Sequence, residues 1–171
     1  MKTMLRWIGI VVAVLVGIPA LLALVGVFLP QSHIASRTIT LAAPPDRVFG
    51  AISDLDALPL WRSGLRGVER LPDDGHGARY VEKSSNGDIL FRIEVFEPGR
   101  KMVSRIADPN LPFGGAWTFD LKPSGVGTEL TITEAGDVYN VFFRTMQTLF
   151  FSPTRTIETY QADLARYLSP R

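Results

Sequence analysis

Arg37-Thr-Ile-Thr-Leu-Ala-Ala-Pro-Pro-Asp-Arg-Val-Phe49 changes its period halfway along. Residues 37–41 alternate polar and apolar side chains and are rich in β-branched residues, the pattern of a strand. The alternation stops at the two prolines. Pro45 suits the first turn of a helix, where a missing N–H costs nothing, and Asp46 complements the positive end of the helix dipole. A short helix running to about Ile52 follows, with Val48 and Phe49 turned inward. Ser53-Asp-Leu-Asp56 then caps a second short helix, from Leu55 to about Leu58, that closes near Pro59 and Trp61.

Downstream, strand patterns alternate with turn chemistry. Residues 67–71 precede Pro72-Asp-Asp-Gly-His-Gly77, and residues 79–83 precede Ser84-Ser-Asn-Gly-Asp88. Asn86-Gly87 is the strongest short hairpin signal in the chain. Residues 89–97 end at Pro98-Gly99, and residues 101–107 run into the Pro/Gly-rich stretch 108–115. Residues 116–122 and 128–134 flank Pro123-Ser-Gly-Val-Gly127. Closely spaced turns with no long helix between them predict an antiparallel meander rather than βαβ units. The C-terminus turns helical from Val141. Ser152-Pro153 reads as an N-cap and first turn, and Ile157, Tyr160, Leu164 and Tyr167/Leu168 recur on one face, predicting a helix over 153–168. There is no internal repeat and no second domain after residue 37.

Upstream the chain is different in kind. From Trp7 to Leu29 no side chain is charged, and the Trp7 indole alone can hydrogen-bond. As a helix at ~1.5 Å per residue, residues 7–29 span roughly 35 Å, enough for a hydrocarbon core of ~30 Å. A cleaved signal peptide has a shorter apolar stretch and a small-residue cleavage site, which Phe28-Leu-Pro-Gln-Ser-His-Ile-Ala-Ser-Arg37 does not offer cleanly. The reading is an uncleaved single-pass anchor over 7–29, with a flank over 1–6, a juxtamembrane linker over 30–36 and one domain over 37–171. Lys2, Arg6 and the α-amino group put the N-terminus in the cytoplasm by the positive-inside bias, and the domain outside the inner membrane. Gly9, Ala13 and Gly17 fall four apart, a small-residue face through which two anchors can approach as a homodimer.

Composition excludes several chemistries. The 171 residues contain no Cys and two His, which removes disulfides, thiolate metal sites and a Cys nucleophile and leaves no His-rich metal site. The net charge of +1 divides into +2 over residues 1–36 and −1 over 37–171, so no nucleic-acid partner is expected. There is no G-x-S-x-G elbow, P-loop, dinucleotide-binding glycine motif or H-E-x-x-H. Neither a cofactor, a metal nor a catalytic set is expected. Asp73-Asp-Gly-His-Gly77 has the composition of a tight solvated turn rather than of a ligand set.

One strand, two short helices, six antiparallel strands and a long terminal helix is a specific order. From about Ile34 to Leu168 the chain resembles the SRPBCC superfamily, the START-like helix-grip proteins, and looks closest to membrane-anchored members of the polyketide cyclase/dehydrase and lipid-transport type. The matching stretches are Ala43-Pro-Pro-Asp-Arg-Val-Phe49, Asp54 with Pro59-x-Trp61, Pro112-Phe-Gly-Gly-Ala-Trp117 and Gly127-Thr-Glu-Leu-Thr-Ile-Thr-Glu134-x-Gly136. The resemblance implies an α+β fold, a seven-stranded antiparallel sheet curled around the C-terminal helix, with a hydrophobic cavity between them. Members bind lipids, sterols or aromatic polyketides, and some catalyse cyclisation or dehydration.

Strand alternation then nominates cavity residues. Ile89, Phe91, Ile93 and Val95 share a face, as do Met102, Ser104 and Ile106; Trp117, Phe119 and Leu121; and Leu130, Ile132 and Glu134. Glu134 is either an inward carboxylate, its pKa raised by burial, or a solvated strand-end residue capping the next turn. Trp61 and Trp117 are ligand walls or core; Met102 and Met146 are adaptable pocket contacts or filler. Phe142, Phe143, Phe150 and Phe151 crowd into ten residues of a chain with ten Phe. Adjacent Phe side chains point about 100° apart on a helix, so one core face does not easily hold all four, and the segment either plugs a cavity, with Phe143, Met146 and Phe150 on its wall, or is partly exposed near the membrane. Two or more convergent polar groups would be needed for an enzyme, and Glu134, Arg92 and Tyr80 are the nominees.

These features favour a tethered protein that binds a hydrophobic ligand. The alternatives are a cyclase or dehydratase-like enzyme and a non-catalytic structural or regulatory membrane component. A reporter enzyme that works only outside the inner membrane, fused after Arg171, is expected to be active; activity of a cytoplasm-only reporter there refutes the orientation.

Overall fold

The computed structural model describes residues 2–85, 87–125, 127–150 and 152–169. Asn86 of the expected Asn86-Gly87 turn and Phe151 of the aromatic cluster lie outside them. The elements are α1 (Lys2–Phe28), β1 (Ser32–Leu41), α2 (Pro45–Ser53), α3 (Leu58–Trp61), β2 (Leu65–Leu71), β3 (Arg79–Ser84), β4 (Gly87–Glu97), β5 (Lys101–Ile106), β6 (Phe113–Ser124), β7 (Gly127–Val138), α4 (Val141–Phe150) and α5 (Arg155–Leu168). The seven strands form one antiparallel sheet in the order β1-β7-β6-β5-β4-β3-β2, so the first strand pairs with the last and the rest is a meander. This is the α+β helix-grip architecture that the resemblance implied.

Local chemistry explains the short helices. Pro44 sits at the N-cap of α2, Pro45 opens it, and Val48, Phe49, Ala51 and Ile52 are buried. The second helix starts three residues later than the pattern implied, at Leu58, with Pro59 inside its first turn rather than beyond its end. Proline is tolerated there because the first-turn N–H groups have no intrahelical acceptor. Asp54 instead folds the preceding turn, accepting the Asp56 N–H at 3.2 Å. The last helix also starts later than expected. Thr154, not Ser152, is its N-cap residue, and the Thr154 hydroxyl is engaged by Arg37 and Glu158.

Several strands differ from their expected extent or facing. β1 starts at Ser32, so residues 32–36 are strand rather than linker; they pair with residues 133–137 of a β7 that runs on past Glu134. β6 likewise starts at Phe113, opposite Val138, and takes in the end of the expected 108–115 loop. In β4 the alternation breaks, because the register shifts between Ile93 and Val95. Beyond the bulge it is Phe96 that stands opposite Met102 and packs edge-on against Phe49 at 5.1 Å, while Val95 turns to the other face.

The core fills the space between the sheet's inner face and α2, α3 and α5. Leu130, Ile132, Phe119, Leu121 and Met102 meet Ile52, Ile157, Tyr160, Leu164 and Leu168. At the β6–β7 turn Gly127 has φ +143°, and a Cβ there would strike the Leu41 carbonyl at the end of β1. α4 stands apart, packed against α1. Leu164 is fully buried and Leu60 is 78% exposed. Leu164→Ala is therefore expected to lower unfolding free energy by ~2–5 kcal/mol, and Leu60→Ala by less than ~0.5 kcal/mol, measured from denaturant midpoints of the full chain in detergent.

Candidate functional site

Between the sheet and α5 lies a cavity of ≈ 320 Å³. The sheet contributes its inward rows: Tyr80, Glu82 and Ser84 from β3; Ile89 and Phe91 from β4; Met102, Ser104 and Ile106 from β5; Trp117 and Phe119 from β6; and Glu134 from β7. Ile52, Leu58, Arg62–Leu65, Thr156 and Tyr160 close the other side. An outer vestibule of ≈ 480 Å³, lined by Trp117, Arg155, Thr156, Thr159 and Asp163, shares the Arg62, Ser63 and Tyr160 wall. The loop at this mouth is pinned to α5: Asp163 accepts the Ser63 N–H at 2.7 Å and the Ser63 hydroxyl at 2.9 Å.

The cavity has an apolar wall and a polar end. Phe91 stacks on Tyr80 at 5.5 Å, and Trp117 meets Tyr160 at 5.7 Å. At the polar end Arg62 is bonded to Glu82 through Nη1, and its guanidinium lies 5.0 Å from the Tyr160 ring centroid. Burial alone would lower the Arg62 pKa; Glu82, with Tyr160 and Tyr80, more than offsets it and keeps the guanidinium charged. Tyr80 Oη and Ser104 Oγ are 2.8 Å apart and buried. Burial, reinforced by the Glu82 charge, raises the Tyr80 phenol well above its usual value. The hydroxyl therefore stays protonated and can offer or accept a hydrogen bond to a ligand oxygen.

Glu134 lies inside β7, opposite Ala35 on one side and Trp117 on the other, not at a strand end. The reading of a solvated end-of-strand residue is thus overturned: β7 runs on past Glu134, paired with β1 as far as Asp137 and with β6 as far as Val138. Burial raises its pKa, and His33 at 3.7 Å opposes the shift.

Six of the ten nominated wall residues come together here: Phe91, Met102, Ile106, Trp117, Phe119 and Glu134. Trp61 does not line the cavity. It is core, edge-on to Tyr160 at 5.0 Å and stacked on Tyr167 at 6.0 Å, and its indole N–H is buried with no acceptor among the described residues. Phe143, Met146 and Phe150 lie on α4, off the cavity wall; Phe143 and Phe150 are 53% and 67% exposed. Arg92 is also elsewhere, holding Asp74 through two contacts of 2.8 Å while Asp73 and Asp74 accept backbone N–H groups of their own turn. Strand alternation placed Ser104 on the inward face but missed Arg62 and Glu82, and Tyr160 was read only as part of the apolar face of the last helix. Glu82 is two residues from Tyr80 and so on the same face, which was the one available signal.

A family model described as polyketide cyclase / dehydrase and lipid transport matches residues 32–166. No curated protein matches the chain at a significant level. Among solved structures the fold is similar to a START superfamily protein from Mycobacterium smegmatis, at 17% identity over 80% of this chain and 97% of that one, with a TM-score of 0.61. It is similar to a norcoclaurine synthase point mutant from Thalictrum flavum in complex with a transition-state analogue, at 12% identity over 80% and 94%, TM-score 0.62. Ginseng major latex-like protein 151 from Panax ginseng matches at 10% identity over 82% and 100%, TM-score 0.65. At these identities the likeness is one of fold.

The raised Glu134 pKa has a definite sign in stability. The folded state holds the proton more tightly than the unfolded chain, whose carboxyl titrates near ~4.3. That contribution is full below ~4.3 and is lost as pH rises through the higher folded value. Glu134→Gln cannot ionise, so its stability relative to the parent is expected to climb from pH ~4 to pH ~7. Denaturant midpoints across that range check this; a constant difference removes the buried-carboxylate account.

Proposed function

Because the chain belongs to the polyketide cyclase/dehydrase and lipid-transport family, we propose that it is a membrane-tethered protein that binds a hydrophobic small molecule, a lipid or an aromatic compound, between its sheet and α5. The observation that carries this reading is the cavity itself. Its ≈ 320 Å³ fall at the low end of typical ligand pockets of ~300–1,000 Å³. That volume suits one acyl chain or a compact ring system. The polar Arg62–Glu82 and Tyr80–Ser104 end suits a ligand with a hydroxyl, carbonyl or acid at one end.

Tethering rests on α1. The segment Arg6–Phe28 is long and apolar enough to cross a membrane, a description that a signal sequence also meets. We read residues 7–29 as a retained single-pass anchor in the inner membrane, with residues 1–6 cytoplasmic and the domain of residues 37–171, which β1 extends back to Ser32, outside. Lys2 and Arg6 support that orientation. A Cβ at Gly9 or Gly17 would meet nothing among the described residues, and with Ala13 these positions form the surface that a second anchor helix would use.

A second reading, an enzyme of the cyclase or dehydratase kind, is favoured by one observation. Glu134, with its raised pKa, and the protonated Tyr80 hydroxyl both reach the same cavity. In that reading Glu134 moves a proton and Tyr80 orients a substrate oxygen. The third reading, a non-catalytic structural or regulatory membrane component, would be favoured by a cavity closed by Trp117, Phe143 and Met146; Trp117 is on the cavity wall, whereas Phe143 and Met146 are on α4.

Native mass spectrometry of detergent-extracted full chain tests binding. A co-purified hydrophobic mass is expected, and Ile106→Trp, which fills the cavity from β5, is expected to lose it while keeping its folded circular-dichroism signature. A bare parent protein from two unrelated expression hosts refutes the binding reading.

A further inference from the structure

α4 is built inside out for a helix in water. At ~100° per residue, Phe142, Phe143, Met146, Leu149 and Phe150 fall within a ~120° arc. That apolar stripe points away from the protein: Phe143, Leu149 and Phe150 are 53%, 60% and 67% exposed. The residues buried against the rest of the chain are the polar ones, Arg144 and Thr145. A helix packed on a water-soluble domain shows the reverse, apolar face in and polar face out. In a bilayer the exposed apolar stripe is the solvated one, and small or polar residues make the contacts between helices.

The partner of that polar face is α1. Thr145 donates to the Leu22 carbonyl at 2.7 Å, and Arg144 donates to the carbonyls of Gly26 at 3.1 Å and Leu29 at 3.2 Å. Gly26 permits this approach, since a Cβ there would strike the Val141 carbonyl and the Thr145 hydroxyl. Leu22 and Gly26 lie six and two residues before Phe28, the last residue of α1. At ~1.5 Å per residue these contacts sit about 9 and 3 Å below the helix end. Interfacial helices bury their apolar face ~5–10 Å into the headgroup–acyl boundary.

We propose that α4 is a membrane-embedded helix, its Phe142–Phe150 stripe lying among phospholipid acyl chains beside the outgoing end of α1. This rests on the reading of α1 as a membrane span. The occupant of the stripe is the bilayer because the stripe continues an apolar surface already committed to it. Leu24, Val27 and Phe28 on α1 are 58%, 61% and 82% exposed at the same level. Arg144 is compatible with that depth because its guanidinium is spent on backbone carbonyls, including Val138 at 2.9 Å, and completes the C-terminal end of α1. A groove lined by Pro30, Gln31, His33, Val138, Arg144 and Gln147 then opens at headgroup level. Its His33 lies 3.7 Å from Glu134 of the cavity wall.

The absence of native Cys gives a clean background for single labels. Full chain carrying a nitroxide at Leu149→Cys is reconstituted into phosphatidylcholine/phosphatidylglycerol vesicles. Collision with oxygen, which favours lipid, is compared with collision with a water-soluble nickel complex. Leu15→Cys in mid-α1 and Leu60→Cys on the domain surface are the lipid and water references, 66% and 78% exposed in the chain. The oxygen-to-nickel ratio at Leu149 is expected to match Leu15 and exceed Leu60, and Phe143→Cys on the same stripe should repeat it. A Leu149 ratio like that of Leu60, with Leu15 in lipid, overturns the proposal and leaves the anchor standing. A Leu15 ratio like that of Leu60 overturns both.

Discussion

A helix with its side chains is ~10 Å across and neighbouring strands lie ~4.8 Å apart, so one helix covers two or three strands. This sheet has seven. α5 packs over the β1–β7 edge, where Ile157, Leu164 and Leu168 close the core with Leu130 and Ile132. The strands beyond β6 have no helix of comparable length on their inner face. α2, α3 and the Arg62–Leu65 loop reach only part of the way across, and what remains uncovered is the cavity. Tyr160 stands at the boundary. Its ring meets Trp61 of the core and Trp117 and Phe119 of the cavity wall, and carries the Arg62 guanidinium. The cavity is thus what is left when one helix is fitted to a wide sheet, and its polar lining is set by what stands on β3 and β5.

That lining is costly. Moving a carboxylate and a guanidinium out of water costs several kcal/mol per ion, and pairing them seldom does more than offset it. Arg62 and Glu82 meet the cost with their mutual bond and the Tyr160 ring. Apolar side chains of similar volume would hold the sheet at least as well. The pair therefore earns its position through what it does to the cavity: it gives an otherwise aromatic and aliphatic space a fixed charged end. Tyr80 and Ser104 add a neutral hydroxyl pair beside it. A ligand matched to this lining is amphiphilic, and its orientation is dictated before it makes any specific contact.

Much of this was legible in the sequence, and the exceptions share a cause. Period-two alternation assigned the inward faces of β5, β6 and β7, and with them Met102, Ile106, Trp117, Phe119 and Glu134. It failed at Val95, because a bulge adds one residue that no local pattern announces. It stopped β7 at Glu134, because Ala135-Gly136-Asp137 has poor strand propensity and is held in place by pairing on both sides. Arg62 and Glu82 lie twenty residues apart on different elements, a distance over which spacing carries no information. For α4 the aromatic cluster left open whether the segment plugs the cavity or is partly exposed. Which face is buried is set by Arg144 and Thr145, whose partners lie more than a hundred residues away.

The connection between anchor and domain shows why this matters. A seven-residue linker over 30–36 would extend up to ~25 Å at ~3.5 Å per residue and let the domain tumble above the membrane. The actual break between α1 and β1 is residues 29–31, with a reach of about 10 Å. Even those residues are held: the Leu29 carbonyl accepts from Arg144, and the Gln31 carbonyl accepts from the Val138 N–H at 2.9 Å. β1 then enters the sheet at once, opposite Asp137. Arg144 bonds the end of α1, the break after it and the end of β7 with a single guanidinium, so the orientation of the helix relative to the sheet is fixed by hydrogen bonds rather than averaged over a flexible link. The cavity is therefore held in one orientation relative to α1, which a cavity on a flexibly linked domain is not.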